Sequence, residues 1–141
     1  MPIVSSPAPY ALGVHAPGAY DAVVARTRAE LQKEGFGVIS EIDIAATLKA
    51  KLGLDVAPQV ILGACNPGLA HQALLAEPEI GTLLPCNVVV RQDGDRVAVS
   101  AMDPVAALSL TKNDQVAQVA SEVRERLTRV LAAVAGGEGA K

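Results

Sequence analysis

Apolar residues recur at two different spacings along the chain, and the alternation between them predicts a mixed α and β domain. A short strand around Tyr10 to His15 and a turn at Ala16-Pro17-Gly18 precede a helix from about Tyr20 to Glu34. Within that helix, Tyr20, Val24, Thr27 and Leu31 form the inner stripe at i, i+4, i+7 and i+11, while Arg26, Arg28, Gln32 and Lys33 are placed to face water. Gly35 supplies a left-handed stop, after which Phe36 to Ile42 reads as a strand. Asp43 caps a short second helix with the stripe Ile44, Leu48 and Leu52, and Gly53 ends it. Val60 to Ala64 is apolar on both faces, which argues for an interior place in a sheet.

The second half carries sharper punctuation. Asn66-Pro67 combines a side-chain acceptor for the first free N–H groups with a residue of preset φ, so a helix should start there and run to about Ala76 before Pro78. Asn87 to Arg91 and Arg96 to Met102, separated by Asp93-Gly94, read as a β-hairpin. Asp103-Pro104 then leads through a short apolar turn to a last helix, Asp114 to Val134, capped by Asn113. Its stripe is Val116, Val119, Val123, Leu127, Val130, Leu131 and Val134, and so wide an apolar face needs a sheet to cover it. Residues 10–135 are therefore expected to form one domain, with a fraying start at 1–9 and a fraying Gly-rich tail at 136–141.

Composition narrows the picture. Half of the 141 residues are apolar and 19% are charged, enough apolar surface to offset the chain entropy of folding. With no Trp, one Phe and two Tyr, the core must be aliphatic. A net charge of −3 and the scarcity of aromatic rings argue against nucleic-acid binding, which draws on clustered cations and stacking platforms. No apolar run approaches the roughly 20 residues of a membrane-spanning helix, so no membrane partner is expected, and the N-terminal residues lack the pattern of a secretory signal. A cytoplasmic location is the expectation, and with it free thiols at Cys65 and Cys86.

Candidate chemistry gathers at those two cysteines. Cys65 stands one residue before the helix cap at Asn66, where free N–H groups and the positive end of the helix dipole favour a thiolate. Cys86 enters the following strand, so an antiparallel pairing of the two strands would bring both sulfurs to one end of the sheet. That arrangement suits a dithiol exchanging with disulfides, a soft metal, or an electrophilic ligand; the alternative is two small residues that merely pack. His71, about one turn beyond Pro67, could approach the same cavity or point outward. Glu41 and Asp43 share a strand face, but solvent exposure and capping account for them. The cysteine and histidine spacing matches no structural zinc pattern, and the glycines make neither of the usual phosphate-binding loops.

The segments Glu41-Ile42-Asp43, Ile61-Leu62-Gly63-Ala64-Cys65-Asn66-Pro67 and Leu83-Leu84-Pro85-Cys86-Asn87 together resemble the family called domain of unknown function 302. The resemblance covers roughly residues 10 to 110, with Asp103-Pro104 as a weaker match. It implies an α+β fold similar to the TATA-box-binding-protein-like class: a largely antiparallel sheet with helices packed mainly on one face, in a single domain that forms homodimers. The family motif falls on Cys65, Asn66, Pro67, Leu84, Pro85 and Cys86. The expectation is a small-ligand or soft-metal binding or sensing domain whose pocket is lined by Cys65, Asn66, Pro67, Cys86 and His71. A thiol–disulfide enzyme using Cys65 and Cys86 is the first alternative, and a dimerisation module without a site is the second. No cofactor is named by any of these residues.

Overall fold

Alternate residues of a strand face opposite sides of a sheet, and here the branched aliphatic ones fall consistently on one side. Across neighbouring strands, Val14, Val99, Val90 and Val60 stand in register, as do Leu12, Ala101, Val88 and Leu62. All eight are buried. The computed structural model describes residues 4–137. It shows a six-stranded, wholly antiparallel sheet in the order β1-β2-β6-β5-β4-β3, made by β1 (Ser5–Ala8), β2 (Ala11–Ala16), β3 (Gly37–Asp43), β4 (Gln59–Cys65), β5 (Cys86–Asp93) and β6 (Arg96–Met102).

The helices are α1 (Tyr20–Lys33), α2 (Ile44–Leu52), α3 (Pro67–Ala76), α4 (Pro104–Leu108) and α5 (Asp114–Gly136), with 3-10 turns at Pro78–Leu83 and Ser109–Thr111. The stripe of α5 is buried at each of its seven expected positions, and the helix packs against α1, α3, α4 and β2. Burying one such Val or Leu stabilises the fold by about 1.5–3 kcal/mol relative to exposure. The chain is thus a single α+β domain with its core between the sheet and the helical layer.

Two expectations are corrected, at Arg26 and in α2, and the two ends of the chain show further detail. Residues 5–8, expected to fray, pair with β2 as an edge strand, because Ser5 and Gly13 are in register and the Ser5 hydroxyl donates to the Gly13 carbonyl. The final helix runs through Gly136 to a left-handed cap at Gly137, so the expected tail is described only to that point, and 138–141 lie outside the described residues. Arg26, expected to face water, is 6% exposed. Its Nη1 donates to the carbonyls of Pro17 and Val134, which anchors α1 on the last turn of α5. Helical periodicity places Arg26 beside Val23, and it could not reveal that the C-terminal end of another helix lies there. In α2 no residue is buried, despite the stripe of Ile44, Leu48 and Leu52. That helix packs mainly on β3 and β4, at one edge of the sheet, and Leu52 stays 66% exposed.

Candidate functional site

The ends of β4 and β5 bring the two cysteine segments together. Ala64 and Cys86 are register partners across the antiparallel pair, and Cys65, the next residue, pairs with Gly37 on the other side. The expectation that an antiparallel pairing would gather both cysteines at one end of the sheet is met. Both are free thiols, Cys86 buried and Cys65 partly so.

Beyond Cys65 the chain turns into α3 as its sequence dictates. Asn66 has extended backbone angles, and its Oδ1 accepts from the Leu69 N–H at 3.2 Å, with Pro67 occupying the first turn. Asn66 also stands against the end of α1. Gly35 has φ of +84°, and the amides of Gly35 and Phe36 donate to the carbonyls of Gln32 and Leu31. This is the paired bonding of a Schellman motif, which needs a residue free of Cβ strain at the left-handed position. It directs Phe36 back into the core, where it is 2% exposed.

Under α3 lies a cavity of about 280 Å³. Phe36, Ala64 and Cys86 line it from the end of the sheet, Leu69, Ala70, Ala73 and Leu74 from α3, Leu84 and Pro85 from the segment before β5, and Leu108, Val119 and Val123 from α4 and α5, with the exposed Ile39 also in the lining. Cys65 and Asn66 also line it, and the Asn66 side chain is the single amide in an otherwise apolar or thiol lining. Of the residues expected at the site, Cys65, Asn66 and Cys86 are brought together. Pro67 is exposed at the start of α3 and lies outside the lining, as does His71, which is exposed on the outer side of that helix. A helix turns about 100° per residue, and the three-residue step from His71 to Leu74 does not bring both to the cavity because Ala70 and Ala73 already define its inward face.

The aliphatic part of this site was missed by reading the sequence for reactive groups. Its signal was present in α3, where Ala70 and Ala73 stand at inward positions that Leu would normally fill. Small side chains opposite a sheet leave volume behind, and the interior of a protein otherwise keeps few such voids.

Electrostatics follow from this apolar lining. Burial, with a smaller contribution from Cys65, pushes the Cys86 thiol up to about 11. Cys86 is therefore a neutral thiol near pH 7, and its sulfur is a poor nucleophile there. Among the described residues no three of His, Cys, Asp and Glu are grouped to hold a metal. Two sulfurs and an amide do not complete the four-ligand shell of a structural zinc site. Asp103, the residue of the weaker motif, is a structural acid: its carboxylate caps α4 through the amides of Val105 and Ala106 and pairs with Arg124 at 3.3 Å. That places Pro104 and Leu108 at the cavity wall.

No helix among the described residues is long and apolar enough to cross a membrane. A search of curated proteins finds no match. The chain is similar to the crystal structure of an uncharacterised conserved DUF302 protein from Bacillus stearothermophilus, with 27% identity and a TM-score of 0.84, over 90% of this chain and 99% of the other. The profile of DUF302, a domain of unknown function, matches residues 12–134, which take in the whole cavity, and the chain accordingly belongs to the DUF302 family.

Proposed function

We propose that this domain binds a small, predominantly apolar ligand in the cavity beneath α3, with Cys65 and Asn66 as its polar contacts. The observation that carries this reading is the cavity itself: about 280 Å³ lined by aliphatic side chains, one phenyl ring, two thiols and a single amide. Ligand pockets are mostly apolar with a few placed polar groups, and a dry cavity of about 150 Å³ already accommodates a benzene ring. Roughly twice that volume suits a short aliphatic chain or a small ring system.

The soft-metal reading rests on two thiols and an amide alone, since among the described residues no group of three His, Cys, Asp or Glu is brought together. The dithiol reading draws support from the shared cavity of Cys65 and Cys86 and is opposed by the high pKa of Cys86. As partner we propose a second copy of the chain: the edge strand β3 exposes Ile39 and Ile42, and Leu52, Leu54 and Val56, in and just after α2, are exposed as well. Sedimentation of the wild-type and Ile42→Lys proteins tests this, with a monomeric wild type overturning it.

Titration with N-phenyl-1-naphthylamine, a neutral dye that fluoresces in apolar surroundings, tests the binding function. The expected result is saturable binding that is lost in Ala70→Phe, whose ring fills the cavity, while the variant keeps the wild-type melting temperature or exceeds it. Absence of saturable binding in the wild type, or binding unaffected by Ala70→Phe, overturns the proposal.

A further inference from the structure

The cavity beneath α3 has a polar neighbour. On the outer side of the same helix pair, a groove is lined by Gln72 and Leu75 of α3 and by Gln115, Gln118 and Glu122 of α5. Leu69 and Val119 line both spaces, so these two apolar side chains stand between the apolar cavity and the groove. Leu69 is partly buried and Val119 is 8% exposed, which places the partition at the seam where α3 meets α5.

The groove has a definite chemical character. Three amides offer both donors and acceptors, and among the described residues none of their side chains bonds within the protein. The groove's one charged side chain, Glu122, is already bonded to Arg126 at 2.9 Å. An anionic group placed there would meet the carboxylate, and a cation would compete with Arg126. An uncharged group rich in hydroxyls or amides can bond to the three glutamines without either conflict.

Resting on the reading of the cavity as a ligand site, we infer that the ligand is an amphiphile: an apolar tail occupies the cavity, and an uncharged hydrogen-bonding head lies in the groove on Gln72, Gln115 and Gln118. For the tail to enter, the Leu69 and Val119 side chains that divide the two spaces must part. Cavity and groove form one bipartite site divided at the α3–α5 seam.

The test is displacement of N-phenyl-1-naphthylamine from the full chain by three probes sharing one chain length: 1-octanol, octanoate and octyl glucoside, the last kept below its micellar concentration. The expected order is octyl glucoside tightest, by about tenfold over 1-octanol, with octanoate weakest. In the double variant Gln115→Ala/Gln118→Ala, whose substitutions are on the exposed surface, octyl glucoside should fall to the level of 1-octanol while 1-octanol is unchanged. If octyl glucoside binds no tighter than 1-octanol, or if its advantage survives in the double variant, the bipartite site is overturned and the apolar cavity stands. If neither the dye nor 1-octanol binds, the cavity reading falls together with it.

Discussion

Asn66 stands against Gly35 so closely that a Cβ on the glycine would lie 2.9 Å from the asparagine's side-chain nitrogen. The residue that closes α1 and the residue that opens α3 thus stand against each other beside the cavity that Asn66 lines. Gly35→Ala must adopt the left-handed backbone at a cost of about 1–2 kcal/mol, and it must also displace the Asn66 amide. Urea denaturation should show a loss of at least that size, with the slope of the transition unchanged. A neutral effect would mean that the cap and the asparagine move independently.

Asn66→Ala removes the acceptor for the Leu69 amide and should cost about 1 kcal/mol, the usual value of an N-cap. Asn66→Asp keeps that acceptor and should recover most of the stability. Thermal melts of the two variants, side by side, separate loss of the cap from loss of packing: equal destabilisation by both would remove capping as the cause.

Cys86 makes stability depend on pH in a defined window. Its folded pKa of about 11 lies above the ordinary thiol value of 9.0, because burial disfavours the charged form. The native state therefore holds its proton when the unfolded chain has begun to release it. The resulting stabilisation is fully present below the ordinary value and is lost as pH rises from there through the folded one. Denaturation in that range should show stability falling more steeply for the wild type than for Cys86→Val. Iodoacetamide should likewise alkylate Cys86 slowly near neutral pH, and rapid alkylation of this residue in folded protein would contradict its burial.

Arg26 bonds two backbone carbonyls from inside the fold, one of them on the last turn of α5. Hydrogen bonds to a charged group contribute about 1.5–3 kcal/mol each, so Arg26→Ala should destabilise by at least that range. Because the guanidinium is screened from solvent, added salt should leave the difference unchanged. The exposed Arg129–Glu34 pair is the contrast: Arg129→Ala should cost well under Arg26→Ala, and salt should diminish its effect. Comparison of the two variants at low and high ionic strength checks both statements.

Much of the architecture was legible in the residues because its signals are local. Asp43, Asn66 and Asn113 each cap the helix they were expected to cap, through bonds to amides two or three residues on. Gly35, Gly53 and Gly94 each take a positive φ at the turn or helix end where glycine was read as punctuation. The stripe of α5 depends only on a helical period, and it is buried throughout. The meeting of Cys65, Asn66 and Cys86 was also legible, since two consecutive strands joined end to start through α3 bring their adjoining ends together once they run antiparallel.

What remained hidden depends on residues far apart in the chain. Whether Ala70 and Ala73 leave a void is decided by what β5, α4 and α5 place opposite them, and periodicity within α3 carries no information about that. Arg26 is buried because the end of α5, more than a hundred residues away in sequence, arrives beside it. The stripe of α2 has the right spacing, yet β3 and β4 cover Ile44 and Leu48 only in part and leave Leu52 exposed. Helix ends, strand faces and the amphipathic period are properties of a few consecutive residues, and the amino-acid order alone determined them. The cavity, the buried guanidinium and the raised thiol pKa are properties of volume and solvent exclusion, which exist only after distant segments have packed, so the tertiary structure alone decided them.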